Sequence, residues 1–181
     1  MRPSPFVVRR TGRELEDAVT LELEPERGAR EFPFQPGQFT MVYAMGVGEV
    51  PLSISGDPER PERLVHTLRI VGAVTRAIGG SRRGTVLGVR GPFGRGWPWE
   101  SAVGKDVVVV AGGMGLAPLR PLLYRILGAR GRFGKVTLSY GARTPEGILF
   151  ARELEKWRGR FHLDVRVTVD SAPSGWRGAV G

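Results

Sequence analysis

The hydrophobic pattern of this 181-residue chain changes its period near Gly104. Between residues 17 and 91, apolar residues alternate with polar ones, as they do in Val19-Thr20-Leu21-Glu22-Leu23. A period of two indicates strands with one buried face, and turn clusters rich in glycine and proline separate these short runs. The spacing favours a small barrel or sandwich. With the boundary near residues 101–105, we predict a first domain over residues 1–102 and a second over residues 103–181.

The second part of the chain alternates strands with helices. Val107–Val110 is a continuous β-branched run that ends in Gly-Gly, which is typical of a parallel strand covered on both faces. Apolar residues then recur at helical spacing, at Leu119, Leu122, Leu123, Ile126 and Leu127. Val136–Tyr140 predicts a second strand, and Thr144 with Pro145 predicts the start of a second helix. Phe161–Val169 predicts a third strand, so the fold class is a β-barrel followed by an α/β domain with a parallel sheet.

Composition excludes several classes of function. The chain has no cysteine, which excludes disulfides, thiol nucleophiles and an iron–sulfur cluster held by these residues alone. No apolar stretch reaches the roughly 18 residues of a membrane helix, because Arg120 interrupts the best candidate, and we expect a cytoplasmic protein. The two histidines, His66 and His162, have neither metal-ligand spacing nor a serine motif around them.

The net charge is +9, and most of the excess lies after residue 100. A basic half of this kind could bind nucleic acid, a phosphorylated cofactor or an acidic protein. The charges are dispersed, without interleaved aromatic residues, so nucleic-acid binding has the weakest support of the three. A solvated arginine-rich surface is the plainer interpretation. Glu153, Glu155 and Lys156 are likewise interpreted as a solvated helix face.

A glycine-rich turn joins the first strand of the second part to its helix. It has the sequence Ala-Gly-Gly-Met-Gly-Leu-Ala-Pro over residues 111–118. Bare backbone lets a pyrophosphate approach, and the free N–H groups of a helix start attract its charge. The turn departs from the G-x-G-x-x-G pattern, since Pro118 stands at the third glycine and no acidic residue ends the second strand. From the residues alone, a phosphate site and a plain tight turn both stay open.

Six motifs carry a resemblance to a known family. In chain order they are Pro36-Gly37-Gln38-Phe39, Val50-Pro51-Leu52-Ser53-Ile54-Ser55, Val71-Gly72-Ala73-Val74-Thr75, Gly91-Pro92-Phe93-Gly94, the 111–118 turn and Tyr140-Gly141-Ala142-Arg143-Thr144-Pro145. With them the chain resembles the ferredoxin–NADP reductase superfamily over nearly its whole length. More narrowly, it is similar to the electron-transfer subunits of cytoplasmic hydrogenase/sulfur reductase (gamma subunit), anaerobic sulfite reductase and dihydroorotate dehydrogenase.

The resemblance implies FAD in the barrel and NAD(P)H on the parallel sheet. It places Leu52 against the flavin ring and Ser53 beside its N5. Val50 occupies the position of the superfamily's phosphate-neutralising arginine, for which Arg69 is the candidate replacement. The implied flavin-binding residues are Val50, Pro51, Leu52, Ser53, Leu68, Arg69, Ile70, Gly72, Val74 and Thr75. The implied nucleotide-binding residues are Gly112, Gly113, Gly115, Leu116, Ala117, Pro118, Tyr140, Gly141 and Arg143.

The function that the resemblance implies is electron transfer by an oxidoreductase subunit. NAD(P)H donates a hydride to FAD, and electrons pass singly to an iron–sulfur centre on a partner subunit. The flavin supplies the chemistry, so no side chain is expected to act as a catalytic acid or base. The alternative is a non-catalytic assembly subunit that keeps a flavin-binding barrel but does not transfer hydride.

The resemblance also implies elements that these residues lack. In the superfamily, a segment like Gly175-Trp176-Arg177-Gly178 is followed by more helix and strand, a Cys-Gly-Pro motif and often a cysteine cluster holding [2Fe–2S]. We therefore expect a fragment or ordered portion of a longer polypeptide, or a degenerate subunit. A sheet of three strands would leave an apolar edge and face uncovered.

Overall fold

The computed structural model describes residues 2–27, 31–158 and 163–181. The first half consists of strands with one short helix. Their bounds are β1 Ser4–Leu15, β2 Ala18–Pro25, β3 Phe39–Ala44, β4 Gly48–Ser53, β5 Leu64–Arg69, α1 Ala73–Gly79 and β6 Val86–Phe93. The second half alternates strands and helices. Their bounds are β7 Val107–Gly112, α2 Leu116–Gly128, β8 Val136–Ala142, α3 Ala151–Arg158, β9 Leu163–Val169 and β10 Ala179–Val180.

The first sheet is antiparallel and curls into a barrel. Its strand order is β4-β3-β6-β1-β2-β5, and a bridge between Ile54 and His66 joins the two outer strands. The alternation seen in the sequence corresponds to the burial, because Leu21 and Leu23 of β2 point into the core. Leu64 and Leu68 of β5 do the same, so the period-two pattern is confirmed as one buried barrel face.

Strand β1 was not expected from the sequence. Of its side chains, Phe6 and Val8 belong to the barrel core, and the following residues are mostly exposed and polar. β1 is held by its neighbours, since it pairs with β2 along most of its length and with β6 at its start. A strand that is fixed mainly by backbone pairing carries little hydrophobic periodicity, so the sequence gives little sign of it.

The second sheet is parallel, with strand order β10-β9-β8-β7. Helix α2 connects β7 to β8 and α3 connects β8 to β9, as the alternating pattern predicted. The predicted barrel followed by an α/β domain is therefore confirmed. Residues 161 and 162, the first two of the predicted third strand and including His162, lie outside the described residues.

The second helix begins later than predicted. Pro145–Gly147 form a single 3-10 turn after Thr144, and α3 starts only at Ala151. Phe150 has a positive φ of 55°, which interrupts the helical path. The Leu149 amide donates to the Tyr140 hydroxyl at 3.0 Å, so a tertiary hydrogen bond holds this segment away from helical geometry.

The two halves have separate hydrophobic cores. A groove of about 730 Å³ separates β1, β2 and the segment after β4 from helices α2 and α3. The predicted limits of the two domains are compatible with this division and stay a prediction. No helix in the described ranges is both long and apolar enough to cross a membrane.

Candidate functional site

The carboxyl ends of the parallel strands bring two bare backbone positions together. Gly112 at the end of β7 lies opposite Gly141 near the end of β8. In open parallel sheets, ligands bind beyond the carboxyl ends of the strands, where the connecting loops begin. The predicted nucleotide-binding residues thus converge on the sheet edge where such a ligand would be expected.

The glycine turn leaves open space in front of its backbone. Among the described residues, no neighbouring heavy atom lies within 4 Å of the position that a Cβ would take at Gly112, Gly113 or Gly115. Gly113 has φ +49°, a left-handed conformation that favours glycine, whereas Gly115 has φ −64°, which any residue adopts. Helix α2 starts directly after Gly115, so its first N–H groups have no acceptor within the helix. This geometry fits a phosphate group.

Three residues of the turn contribute to the helix itself. Leu116 and Ala117 are buried and anchor the first turn of α2 in the core of the second half. Pro118 is the third residue of α2, where a missing N–H leaves no helical hydrogen bond unmade. Proline in place of the third glycine of the G-x-G-x-x-G pattern is therefore compatible with the start of α2.

Tyr140 supports the glycine turn from behind. Its hydroxyl donates to the Gly113 carbonyl at 3.1 Å and accepts the Leu149 amide at 3.0 Å. The side chain is 1% exposed, and burial raises the pKa of its hydroxyl. Tyr140 thus holds the backbone that would face a nucleotide. Arg143, by contrast, is exposed just beyond β8.

In the barrel, the predicted flavin-binding residues lie at the ends of β4 and β5 and at the start of α1. On β4, Leu52 lies in the barrel core with Val50 packed against that core, while Pro51 is exposed and Ser53 is half-buried. The two sides of the strand therefore have different roles. A ligand approaching from the outer side would meet Pro51.

A buried histidine fixes the backbone of Ser53. His66 Nδ1 donates to the Ser53 carbonyl at 2.9 Å, and its Nε2 lies 3.0 Å from the Thr40 hydroxyl, which donates to it in the neutral ring. Burial lowers the pKa of His66 to about 4, opposed by the hydrogen bond to Ser53. His66 is therefore neutral at physiological pH. Its role is internal to the barrel, in agreement with the structural interpretation of this residue.

The turn before α1 is organised by Thr75. The Thr75 hydroxyl accepts the amides of Val71 and Gly72, at 3.0 and 2.9 Å, and donates to the Gly72 carbonyl at 3.1 Å. Its side chain thus serves the turn, and contact with a ligand would fall to the backbone of the first helical turn. The side chain of Val74 lies close to Gly48 of β4, since a Cβ added at Gly48 would lie 3.1 Å from Val74 Cγ2. The turn and β4 thereby form one surface.

The end of β5 and the residue after it carry three of the predicted flavin-binding residues. Leu68 is buried in the barrel core, and the Ile70 amide donates to the Asp17 carbonyl at 2.7 Å. Arg69 is exposed and pairs with the Asp17 carboxylate at 2.9 Å. The positive charge of Arg69 also acts to lower the pKa of Tyr140, although burial outweighs it.

The chain is similar to a family of nucleotide-binding domains and to several curated proteins. Residues 109–181 match the model of the oxidoreductase NAD-binding domain family. The chain is 40% identical over 124 residues to the sulfhydrogenase 2 subunit gamma of Pyrococcus furiosus, a match that covers 68% of this chain and 42% of the relative. It is 42% identical over 130 residues to a probable dihydroorotate dehydrogenase B (NAD(+)) electron transfer subunit of Methanopyrus kandleri, covering 72% and 47%.

Solved structures have the same fold over the whole chain. The FAD/NAD-binding domain of nitric oxide dioxygenase from Vibrio cholerae superposes with a TM-score of 0.86 at 18% identity, covering 100% of this chain and 79% of that domain. Phthalate dioxygenase reductase gives a TM-score of 0.79 at 23% identity, covering 92% and 51%. The resemblance to the ferredoxin–NADP reductase superfamily is confirmed. At this level of identity, these structures establish only the fold of the chain.

The chain spans about half the length of the curated relatives it matches. The superfamily fold and the NAD-binding family match support a nucleotide cofactor in general. The individual binding residues inferred from the superfamily stay predictions.

One cluster of polar residues was missed in the sequence. Arg120 and Tyr124 of α2 face the groove between the halves, and both bind Glu153 of α3. The interpretation of Glu153 as part of a solvated helix face was wrong, because its side chain is 22% exposed and ion-paired. The spacing of Arg120 and Tyr124, four residues apart on one helix face, was the available signal. Glu155 and Lys156 are exposed, as expected.

Proposed function

We propose that this chain is the FAD- and NAD(P)H-binding part of an electron-transfer oxidoreductase subunit that exchanges electrons with an iron–sulfur partner. The glycine turn carries this proposal, since it is open to a ligand, begins a helix and is held from behind by Tyr140. The relatives support it by name, because they are a sulfhydrogenase gamma subunit and electron transfer subunits of dihydroorotate dehydrogenase B. The phthalate dioxygenase reductase is likewise described as transferring electrons from pyridine nucleotides to [2Fe–2S].

The residues of the chain bind and orient the two cofactors in this proposal. Bound FAD supplies hydride acceptance from NAD(P)H and one-electron transfer onward. The amides after Gly115 hold the nucleotide phosphates, and the turn before α1 holds the flavin phosphates. Arg69 supplies the positive charge that an arginine carries in the superfamily at the position of Val50. Ser53, whose carbonyl is fixed by His66, would hold the reactive edge of the flavin ring.

A charge placed in the glycine turn tests the nucleotide site. Gly115 has an ordinary φ and open space around a Cβ, so we expect Gly115→Asp to leave the fold intact. Its carboxylate repels the phosphates, and we expect NAD(P)H binding to weaken at least about tenfold while flavin absorbance is unchanged. Isothermal titration calorimetry with NADH and NADPH measures this affinity.

Gly131→Asp is the matched control. Gly131 is exposed, also has open space around a Cβ, and lies in the turn after the opposite end of α2. The Gly131→Asp substitution adds the same charge far from the proposed phosphate site, so nucleotide affinity should stay at the wild-type value. Equal affinity in the Gly115→Asp variant and wild type would refute the assignment of the turn.

Flavin uptake tests the barrel site separately. The purified chain, incubated with FAD and freed of excess cofactor, should retain about one FAD per chain and be yellow. The visible absorption spectrum and the protein concentration give this ratio. A colourless protein would remove both the electron-transfer function and the flavin-binding assembly alternative.

A further inference from the structure

Arg120 joins the two halves of the molecule across the groove. From α2, its Nε donates to Glu153 at 2.6 Å, and its Nη1 donates to the backbone carbonyl of Ser55 in the barrel at 3.2 Å. The guanidinium lies 4.3 Å from the centre of the Phe150 ring. Its side chain is 17% exposed. One guanidinium thus spans two acceptors that belong to different halves.

The charges around Arg120 keep it ionised and in place. Burial acts to lower the pKa of Arg120, but Glu153, Tyr124 and Glu14 of β1 together outweigh burial and raise this pKa above its ordinary value. The Tyr124 hydroxyl donates to the other oxygen of Glu153. Glu153 is thereby held from two sides, which leaves Arg120 little freedom.

Ser55 is a firm anchor on the barrel side. Its hydroxyl lies 2.9 Å from that of Thr67, which in turn lies 2.9 Å from that of Thr20. Ser55 is fully buried and follows Ser53 by two residues. The hydrogen bond from Arg120 therefore reaches the segment that leads directly out of the proposed flavin strand.

The position of Arg120 along α2 connects it to the nucleotide site. It is the fifth residue of the helix that starts immediately after the glycine turn. The two halves have separate cores with a groove between them, and Leu15 of β1 is a partly buried apolar residue that packs against the core of the second half. The hydrogen bond from Arg120 adds a directional contact to this apolar one. A second polar contact, Arg125 with Glu59, is more exposed, with Glu59 at 60%.

We propose that Arg120 is a positioning residue that sets the distance between the glycine turn and the β4 strand. This inference rests on the proposed function, in which the distance between the glycine turn and β4 decides how closely the nicotinamide approaches the flavin. Hydride transfer needs the reacting atoms about 3 to 3.5 Å apart, and a displacement of about 1 Å can cost about a hundredfold in rate. The guanidinium suits this role because its rigid fork can bind two acceptors at once.

Distance measurement between spin labels tests the tie, meaning the link that Arg120 forms between Glu153 and the Ser55 carbonyl, and it needs no cofactor. The chain has no cysteine, so Arg83→Cys and Glu146→Cys introduce one label in each half at exposed positions. We expect one narrow distance distribution in this background. Arg120→Met keeps the apolar stem beside Phe150 but removes both hydrogen bonds, and it should at least double the width. A wild-type width in this variant would overturn the proposal.

Two further variants distinguish the effect of the Arg120 hydrogen bonds from the effect of its positive charge. Arg152 is exposed and lines the same groove, so Arg152→Met removes one positive charge there and should leave the distribution unchanged. Arg120→Lys keeps the charge, but its compact ammonium lacks the planar fork, and this variant should also broaden the distribution. A wild-type width for Arg120→Lys, or broadening in Arg152→Met, would contradict a two-point tie.

Flavin reduction supplies the functional readout. In the FAD-loaded chain, Arg120→Met should lower the rate of flavin reduction at saturating NADH about tenfold or more, with NADH affinity within about twofold of wild type. Broadened distances in a chain that takes up no FAD would keep the tie and refute the proposed function. Unchanged distances with normal flavin reduction would refute the tie and keep the function.

Discussion

Tyr140 shows how a single hydroxyl can organise a binding turn. Tyr140→Phe leaves the buried amide of Leu149 without its acceptor and frees the carbonyl of Gly113. We expect the free energy of unfolding to fall by about 1–3 kcal/mol and NAD(P)H affinity to fall several-fold, because the glycine turn is no longer held. Chemical denaturation and nucleotide titration measure the two effects.

Tyr43→Phe is the control for Tyr140→Phe. The Tyr43 hydroxyl accepts only a long, exposed hydrogen bond of 3.4 Å from the Gly46 amide. Its loss should change the stability by less than about 0.5 kcal/mol. If Tyr140→Phe were as mild as this control, Tyr140 would not support the turn.

His66 gives the barrel a defined pH dependence. Burial lowers its pKa from 6.5 to about 4, so between these values the unfolded chain binds the proton and the folded chain does not. The contribution of His66 to the free energy of unfolding should therefore fall by on the order of 3 kcal/mol as the pH drops through this window, then level off. His66→Gln should lose this part of the dependence.

The same claim can be checked on the ring itself. The chain has two histidines, so His162→Gln leaves His66 as the single imidazole for NMR. We expect its ring signals to stay constant from pH 8 to about pH 5. Titration near 6.5 would show that His66 is not held neutral by the barrel.

The sequence predicted which residue types matter better than what their side chains contact. Glycines at 112, 113 and 115 could be singled out as a candidate phosphate site, which stays a prediction, since bare backbone allows close approach. The support given by Tyr140 to Gly113 could not, because it depends on a contact between residues 27 apart. Arg120 was missed for the same reason, as Ser55 lies 65 residues away.

Strand β7 has one covered and one uncovered face. Val109 is buried, whereas Val108 and Val110 are 68% and 71% exposed, and β7 is the outer strand of its sheet. The prediction of a strand covered on both faces is therefore wrong for β7, because Val108 and Val110 stay exposed among the described residues. Such a surface promotes association with other apolar surfaces.

Replacing the exposed valines should change association but not folding. Val108→Thr with Val110→Thr keeps the β-branched shape, so we expect self-association to fall and the free energy of unfolding to change by less than about 0.5 kcal/mol. Val109→Thr is the control, since a hydroxyl buried at that position should cost about 1–3 kcal/mol. Sedimentation velocity measures self-association, and chemical denaturation measures the free energy of unfolding. If substitutions at all three positions destabilised the fold equally, Val108 and Val110 would not lie on an exposed face.

Among the elements, those with a clear hydrophobic period were predicted and those fixed by tertiary contacts were not. The strands around Leu21 and Leu68 alternate and were found. β1 has few core side chains, and the start of α3 is displaced by the hydrogen bond between Leu149 and Tyr140. Neither influence is local, so neither leaves a pattern in the sequence.

At the scale of the whole molecule, two separately packed halves meet at the proposed cofactor region. The barrel presents the ends of β4 and β5, and the parallel sheet presents the glycine turn. Through the superfamily resemblance, the order of the motifs along the chain implies that the two sites lie together, and this stays a prediction. Arg120 of the second half donates a hydrogen bond across the groove to the Ser55 carbonyl of the barrel, a contact that the sequence alone does not reveal.

Anaerobic titration of the FAD-loaded chain with NADH and NADPH tests the central claim most directly. The claim is that one chain holds flavin and nucleotide close enough for hydride transfer. We predict that at least one of the two nucleotides bleaches the visible absorption band of the bound flavin, and that Gly115→Asp requires at least about tenfold more nucleotide for the same effect. Retained FAD that neither nucleotide bleaches would contradict the electron-transfer function and favour the flavin-binding assembly alternative.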